Sequence, residues 1–419
     1  MPEQPDWTVI YAGLLADGTG RPVQRDAAVR LRGNRIEAVG SAAELAPQPG
    51  EKVQEFRFPG HCLIPGLIDP HTHLSLAGDG RAYPEMFQDP DELMVLIGAR
   101  NLQRHLAAGV TTLRDHGARN RVGFILKEGL ARGYISGPRL LVSGRPITCT
   151  QGHFWMCQEI ADGEEEMRKS VRRLVHEGAD YIKIMASGGG TAGTFPGRPS
   201  YSLAELQAAV QEAQAFGRPT AAHCRAKESM LRALQAGIDV IEHAEFLDPD
   251  GVGRFDPQVA ARMVEANVYV SPTLQAQTGY PTLLQLQAKR EREGLTPAEA
   301  QALERAERGL EARLEIFRRM LEAGLGPRMV PGSDSGVSNL AFGHLDYDLQ
   351  LMVRGGLTPA QALEAATRVA AEASGLGSQV GTLEPGKEAD LVVLDGDPTR
   401  DVSAFSRVVA VFQGGRRVV

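Results

Sequence analysis

Eight short apolar runs, most of them separated by stretches patterned as helices, occupy residues 63–336 and restrict the fold more than any other feature of the chain. The runs are "LIPGLIDPHTHLSL", "GVTTLRDHG", "PRLLVSG", "YIKIMASGG", "RPTAAHC", "DVIEHAEF", "NVYVSPTL" and "RMVPGSDSG". Runs this short, bounded by Gly and Pro, read as strands buried on both faces, as in a parallel sheet covered by helices. Two of the helices mark their own boundaries. In "SLAELQAAVQEAQAFG", Ser202 and Glu205 make a capping box and Gly217 a stop; in "TPAQALEAATRVAAEASG", Pro359 takes the first helical position and Gly375 the end. The class is therefore α/β, and eight cycles over about 320 residues predict a (β/α)8 TIM barrel enlarged by insertions. A doubly wound open sheet alternates in the same way, so periodicity alone leaves both architectures open.

The two ends read differently. "AAVRLRGNRIEAVG" has β-rich arms around Gly33-Asn34, a hairpin signal, and "ADLVVLDGDP" and "VVAVFQGGRRVV" are short strands near the C-terminus. Residues 1–62 and 382–419 are expected to form one small composite β-sandwich domain around a barrel of residues 63–381. Within the barrel, residues 281–324 form a charged helical pair, either a solvated hairpin or a lid or oligomer contact beside the site. A net charge of -7 and the lack of any basic cluster argue against nucleic-acid binding. No apolar stretch reaches the roughly 18 residues of a membrane span, and "MPEQPDWTVIYAG" has no signal-peptide pattern, so a cytoplasmic protein without membrane contact is expected. Cys62, Cys149, Cys157 and Cys224 form no CxxC pair and read as reduced thiols.

The chemistry gathers at the strand ends. A strand alternates faces with period two, so His71 and His73 point the same way and could clamp a metal from one strand. The fifth run ends with His223, the sixth with His243 and the eighth with Asp334, while Lys183 stands among apolar residues of the fourth. A buried lysine without a partner is expensive, because desolvation disfavours the ammonium. Read blandly, it pairs with a neighbouring carboxylate, Glu242 or Asp115. Glu242 and Asp69 are also near enough in sequence to orient metal-bound histidines, without the sequence saying which. Four histidines, an acid and a lysine at corresponding ends of different strands point to a metal site.

With "PGLIDPHTH", "YIKIMASGG", "AAHC", "IEHAEF", "GSDSG" and "GTLEPGKEADLVVLD", nearly the whole chain resembles the amidohydrolase superfamily, and within it the metal-dependent Xaa-Pro dipeptidase and imidazolonepropionase-related group. The resemblance implies two divalent metal ions, zinc in the first instance, bridged by Lys183 carbamylated with carbon dioxide. His71, His73 and Asp334 would hold one metal, and His223 and His243 the other. Donors of this mixed kind also accept Mn, Co or Fe. The implied activity is hydrolysis of an amide or peptide C–N bond in a small substrate, a dipeptide or N-acyl amino acid, by a metal-bridging hydroxide, with Asp334 moving its proton to the leaving nitrogen. Other readings are a cyclic-amide or aryl-amide (xenobiotic) hydrolase, a mononuclear deaminase, and a non-catalytic scaffold. Relatives suggest a homo-oligomer.

Several residues depart from the family pattern or stand beside it. Related deaminases and imidazolonepropionase carry a glutamate three residues after the fifth-strand histidine; Ala226 stands there. Dipeptidase-like members often place a tyrosine two residues after it, where this chain has Arg225, which could clasp a substrate carboxylate or pair with a structural acid. His153 in "PITCTQGHFW" matches a loop histidine near the scissile group and could donate to a developing oxyanion. His344 follows the eighth run and could line the pocket or cap a helix. Gly188, Gly190 and Gly193 fit G-x-G-x-x-G, but "TFPGRPSYS" intervenes before the helix, so a dinucleotide loop is not expected. His105, His116 and His176 have no motif context.

Overall fold

The computed structural model describes residues 7–419. Four strands lead: β1 (Trp7–Leu15), β2 (Gln24–Arg32), β3 (Arg35–Ser41) and β4 (Val53–Pro65). The barrel strands are β5 (Leu67–Thr72), β6 (Val110–Asp115), β7 (Arg139–Val142), β8 (Ile182–Ile184), β9 (Thr220–Ala226), β10 (Val240–Leu247) and β11 (Tyr269–Ser271), and β12 (Leu391–Leu394), β13 (Val408–Gln413) and β14 (Arg416–Arg417) follow.

Both chain ends enter one seven-stranded sheet, ordered β14-β13-β12-β4-β1-β2-β3. The hairpin expected at Gly33-Asn34 joins β2 to β3, with Arg32 opposite Arg35 and Gly33 at φ +60°. β4 holds the sheet together: its first part pairs parallel with β1, and Cys62–Pro65 pair antiparallel with β12. Where a sandwich of two sheets was expected, the hydrogen bonds run through a single sheet whose core includes Ile10, Val29, Leu63, Val393 and Phe412. β4 passes into β5 through Gly66, where a Cβ would come within 2.0 Å of Thr111 Oγ1, so only glycine fits the elbow.

The seven barrel strands form two parallel sheets, β5-β6-β7 and β8-β9-β10-β11. Backbone bonds close them into a ring. On one side Ile147 N donates to Lys183 O and Met185 N to Ile147 O, each at 2.8 Å. On the other, the eighth run lies between β11 and β5: Val330 N reaches Val270 O at 2.9 Å, Asp334 N reaches His71 O at 2.8 Å, and His73 N reaches Ser335 O at 2.8 Å. This run is an extended segment with two isolated bridges rather than a regular strand. Pro331 within it has no N–H to give a ladder. Closure decides between the two architectures left open by periodicity in favour of the barrel.

The expected caps are present. Ser202 and Glu205 cap the helix Leu203–Ala215 reciprocally, and Gly217 follows at φ +62°. Thr358 and Gln361 cap Pro359–Glu364, which continues through a π turn at Ala365–Val369 to Gly375 at φ +71°. Residues 281–324 contain the helices Tyr280–Arg292 and Pro297–Glu322, the second started by a Thr296–Glu299 capping box. One face of this second helix is buried through Leu303, Leu310, Leu314, Phe317 and Met320, so the pair packs onto the barrel as well as meeting solvent. The four cysteines are free, and among the described residues no helix is long and apolar enough to cross a membrane.

Candidate metal centre

His71, His73, Lys183, His223, His243 and Asp334 all converge on one cavity of about 150 Å³, together with Tyr83, His153, Arg225 and Gln277. Each of the six is buried. The imidazoles are close, with ring centroids 5.7 Å apart for His71–His73, 5.0 Å for His71–His243 and 4.4 Å for His223–His243. Asp334 Oδ1 lies 3.4 Å from His71 Nε2 and 3.3 Å from His73 Nε2. Donor atoms of His71, His243 and Asp334 lie within 4.8 Å of one another, as do those of His71, His116 and Glu242.

The backbone is bent to bring them there. His243 sits at φ +69° and Asp334 at φ +53°, with Ala244 and Phe246 also left-handed. Left-handed backbone is unfavourable for residues with a Cβ, and where it persists the surroundings hold it. At His243 the bend coincides with the place where β10 loses register with β9, between His243 and Leu247, and the His243 side chain lines the cavity.

Buried partners stand behind several of these rings. His71 Nδ1 donates to Glu242 Oε2 at 2.7 Å, leaving the Nε2 lone pair toward Asp334 and the cavity. His243 Nδ1 lies 2.7 Å from Thr273 Oγ1 and 3.1 Å from Gln277 Nε2, so both partners hold the ring from this nitrogen and leave Nε2 without one among the described residues. Asp69 serves no cavity histidine. It accepts from His71 N and Ser333 N, both at 3.2 Å, and from His105 Nε2 at 2.8 Å, tying β5 to the closing segment. His105 completes this brace by accepting from Gly343 N at 2.8 Å, a structural use that matches its plain helical setting.

The charge state suits a metal. Burial holds His73, His223 and His243 below the usual imidazole value, and the neutral ring is the ligating form. Burial pulls His71 down as well, but Glu242 and Asp334 outweigh it and its pKa stands above the usual value. Burial opposes ionisation of Asp334, yet His71 and His73 hold its carboxyl well below the carboxylate range. Lys183 is one of several buried groups here without a hydrogen-bond partner among the described residues, beside His73 Nδ1, Glu242 Oε1 and the Arg114 guanidinium. Its Nζ is buried with no hydrogen-bond partner, neither Glu242 nor Asp115 pairs with it, and burial lowers its pKa to about 8. Four imidazoles, a carboxylate and an orphaned amine around one cavity form a donor set that divalent cations fit.

The other sequence candidates separate. His153 lines the cavity, its ring 4.5 Å from His223 and its Nδ1 2.8 Å from Thr191 Oγ1. Arg225 also lines it, but Nε and Nη2 are taken by Glu245, at 2.5 and 2.9 Å, leaving Nη1. His344 does not join the cavity: at the start of the helix Leu345–Arg354 it stacks on Tyr347, with centroids 4.6 Å apart. The glycine motif is a loop, with no helix before Leu203. A Cβ on Gly188 would sit 2.5 Å from the Phe195 backbone and one on Gly190 2.9 Å from the Tyr83 ring, which accounts for these two glycines without a nucleotide, and a Cβ on Gly189 between them would sit 2.6 Å from the His153 ring.

Two neighbours of the site carried no sequence signal that was used. His116 directly follows β6, with its ring 4.0 Å from His71; its Nδ1 bonds the Tyr181 hydroxyl at 2.7 Å, and its Nε2 faces Glu242 Oε1 at 2.9 Å, off the line of a hydrogen bond. "RDHG" places it at a strand end like the other histidines, and that position was the available clue. Tyr83 reaches the cavity from a short helix after β5, a placement set by loop folding.

Residues 62–418 match the model of the Amidohydrolase family. Ochratoxinase of Aspergillus niger is 29% identical across 98% of this chain and 86% of its own length. Imidazolonepropionase of Symbiobacterium thermophilum is 25% identical across 93% and 91%. Among solved structures, a Xaa-Pro dipeptidase with methionine bound in its active site superposes with a TM-score of 0.81 at 25% identity, covering 98% of this chain and 99% of that one.

Proposed function

The chain belongs to the amidohydrolase family, and from that membership we propose that it is a metal-dependent hydrolase cutting an amide or peptide C–N bond of a dipeptide or N-acyl amino acid. The observation that carries the reading is the orphaned Lys183 amine among four imidazoles and Asp334. Burial favours the neutral amine, which can add to carbon dioxide, forming an N–C bond and releasing one proton. The resulting carbamate gives the cavity the bridging anion that a two-metal site needs. His71, His73 and Asp334 would hold one divalent ion, zinc in the first instance, and His223 and His243 the second. Bound there, the ions would lower the pKa of a shared water and polarise the substrate carbonyl.

The remaining roles fall to this chain's own side chains. Asp334 takes a proton from the attacking water and returns it to the leaving nitrogen as the C–N bond breaks. Thr191 Oγ1 accepts from Phe154 N at 3.1 Å and can give its own proton to His153 Nδ1, which would leave the ring proton on Nε2. Burial keeps His153 neutral, with a pKa of about 3, and a neutral Nε2–H is a donor for the carbonyl oxygen as charge develops. Arg225, steadied by Glu245, offers Nη1 to a substrate carboxylate.

Exposed Trp155 (46%) and Phe195 (64%) on the two loops around the mouth favour a second reading, an aryl-amide substrate with a bulky apolar part. Metal analysis of the purified protein, with a screen of dipeptides, N-acyl amino acids and aryl amides, tests both. Two metals per chain and release of a free amino acid are expected. One metal with ammonia release from a heterocycle, or no metal, overturns the proposal.

A further inference from the structure

One arginine of the helix Pro297–Glu322 differs from its exposed neighbours. Arg313 is only 6% exposed and lies on the face that buries Leu310, Leu314 and Phe317. Its guanidinium has no salt-bridge partner and donates to backbone carbonyls instead: Nη1 to Ala244 O at 2.9 Å, and Nη2 to Pro272 O at 3.1 Å and to His243 O. These carbonyls lie where the barrel ladder has given out. His243, the last residue of β10 in register with β9, and Ala244 just beyond it are left-handed, and Thr273 after Pro272 is left-handed at φ +45°. A buried carbonyl turned out of a ladder needs another donor. A planar guanidinium can serve two neighbouring carbonyls and a third across the gap, which an ammonium on a flexible stem does less well.

We infer that the helical insertion is a positioning element of the metal centre, acting through Arg313 on the backbone of His243 and of Thr273. Thr273 Oγ1 in turn fixes the ring of His243 from Nδ1. The inference rests on the reading of His243 as a metal ligand. It assigns the insertion a task distinct from covering the mouth: Arg313 holds the bend that aims one ligand, on a helix of 26 residues whose own face is locked in the core.

The test is titration of Co²⁺ into the chelator-stripped full-length protein, followed by visible absorption, for wild type, Arg313→Met and Arg313→Lys, with thermal melting in parallel. Arg313→Met should weaken one of the two cobalt sites by about 10–100-fold, alter the absorption of that site and leave the other Kd unchanged. Its kcat at limiting metal should fall with KM unmoved, and Arg313→Lys should recover part of the loss. Should Arg313→Met not fold, Arg313→Lys alone decides, through a shifted cobalt spectrum at an unchanged melting temperature. A wild-type protein with two cobalt ions and variants with identical affinities and spectra overturns this inference alone. A wild-type protein that binds no metal overturns it together with the proposed function.

Discussion

Replacing Lys183 with Met separates what the buried amine costs from what it does. In protein stripped of metal and carbon dioxide, the Lys183 ammonium has no hydrogen-bond partner, and burial lowers its pKa from 10.5 to about 8. One pKa unit is worth about 1.4 kcal/mol, so holding the charged form at pH 7 costs the fold about 3 kcal/mol. Met has a similar length and no charge, and its introduction strands no acid: Glu242 keeps His71, and Asp334 keeps His71 and His73. The folded state binds this proton less tightly than the unfolded chain does. The cost is therefore full below about pH 8 and fades as pH rises toward 10.5, where both states lose the proton. Apo Lys183→Met should melt several degrees above apo wild type at pH 7, and the gap should close between pH 8 and 10.5. The same variant should lose the paired metal site and hydrolysis. Calorimetry from pH 6 to 10.5, after dialysis against chelator under nitrogen, measures the gap. An apo variant that melts at or below wild type, with no dependence on pH, would mean that Lys183 is paired in solution and the reasoning fails.

Arg225→Met should lower kcat/KM about 10- to 100-fold for carboxylated substrates, the worth of one charge-assisted hydrogen bond, with a smaller loss on neutral amides. The double variant Arg225→Met/Glu245→Met should regain melting temperature but not kcat/KM; recovery of both would show that Arg225 serves only Glu245. Glu242→Gln removes the charge that receives the His71 Nδ1 proton and should weaken metal affinity about 10–100-fold, as read by competition with a chelating dye. Gly189→Ala puts a methyl group 2.6 Å from the His153 ring and should reduce kcat far more than it changes KM or melting.

The sequence made legible whatever depends on local period. His71 and His73 share a face because strands alternate, and capping at Ser202, Thr358 and Pro359 depends on residues three apart. Pairing partners were another matter. Alternation in the terminal strands says that one face is buried but not which edges meet, and a single sheet results because β4 takes β1 on one edge and β12 on the other, with Cys62 and Leu63 paired to both. The eighth run looked like a strand from its apolar start, but Pro331 and Gly332 limit it to isolated bridges. His344 follows Asp334 by ten residues; Gly343 at φ +103° and the helix that follows carry it away from the cavity. His116 was passed over because it stands alone, although its strand-end position was the same signal used for His223 and His243.

The histidines by themselves do not exclude a non-catalytic scaffold. His71 is satisfied by Glu242, His153 by Thr191, His243 by Thr273 and His223 by the Gly188 carbonyl at 3.1 Å, so these four rings have partners within the protein, while His73 keeps a buried Nδ1 without one among the described residues. Lys183 Nζ has none among the described residues, and two of the proposed ligands, His243 and Asp334, occupy left-handed backbone that costs about 1–3 kcal/mol each. Added to the amine, this is several kcal/mol in a fold whose net stability is on the order of 5–15 kcal/mol. Ligands that bind only the folded state offset such a deficit by mass action, and metal binding does so at a site the unfolded chain lacks. A scaffold has no such return, and one substitution at Lys183 would relieve much of its burden. The unpartnered amine, more than the imidazoles, therefore argues that the cavity is built around a group that completes it.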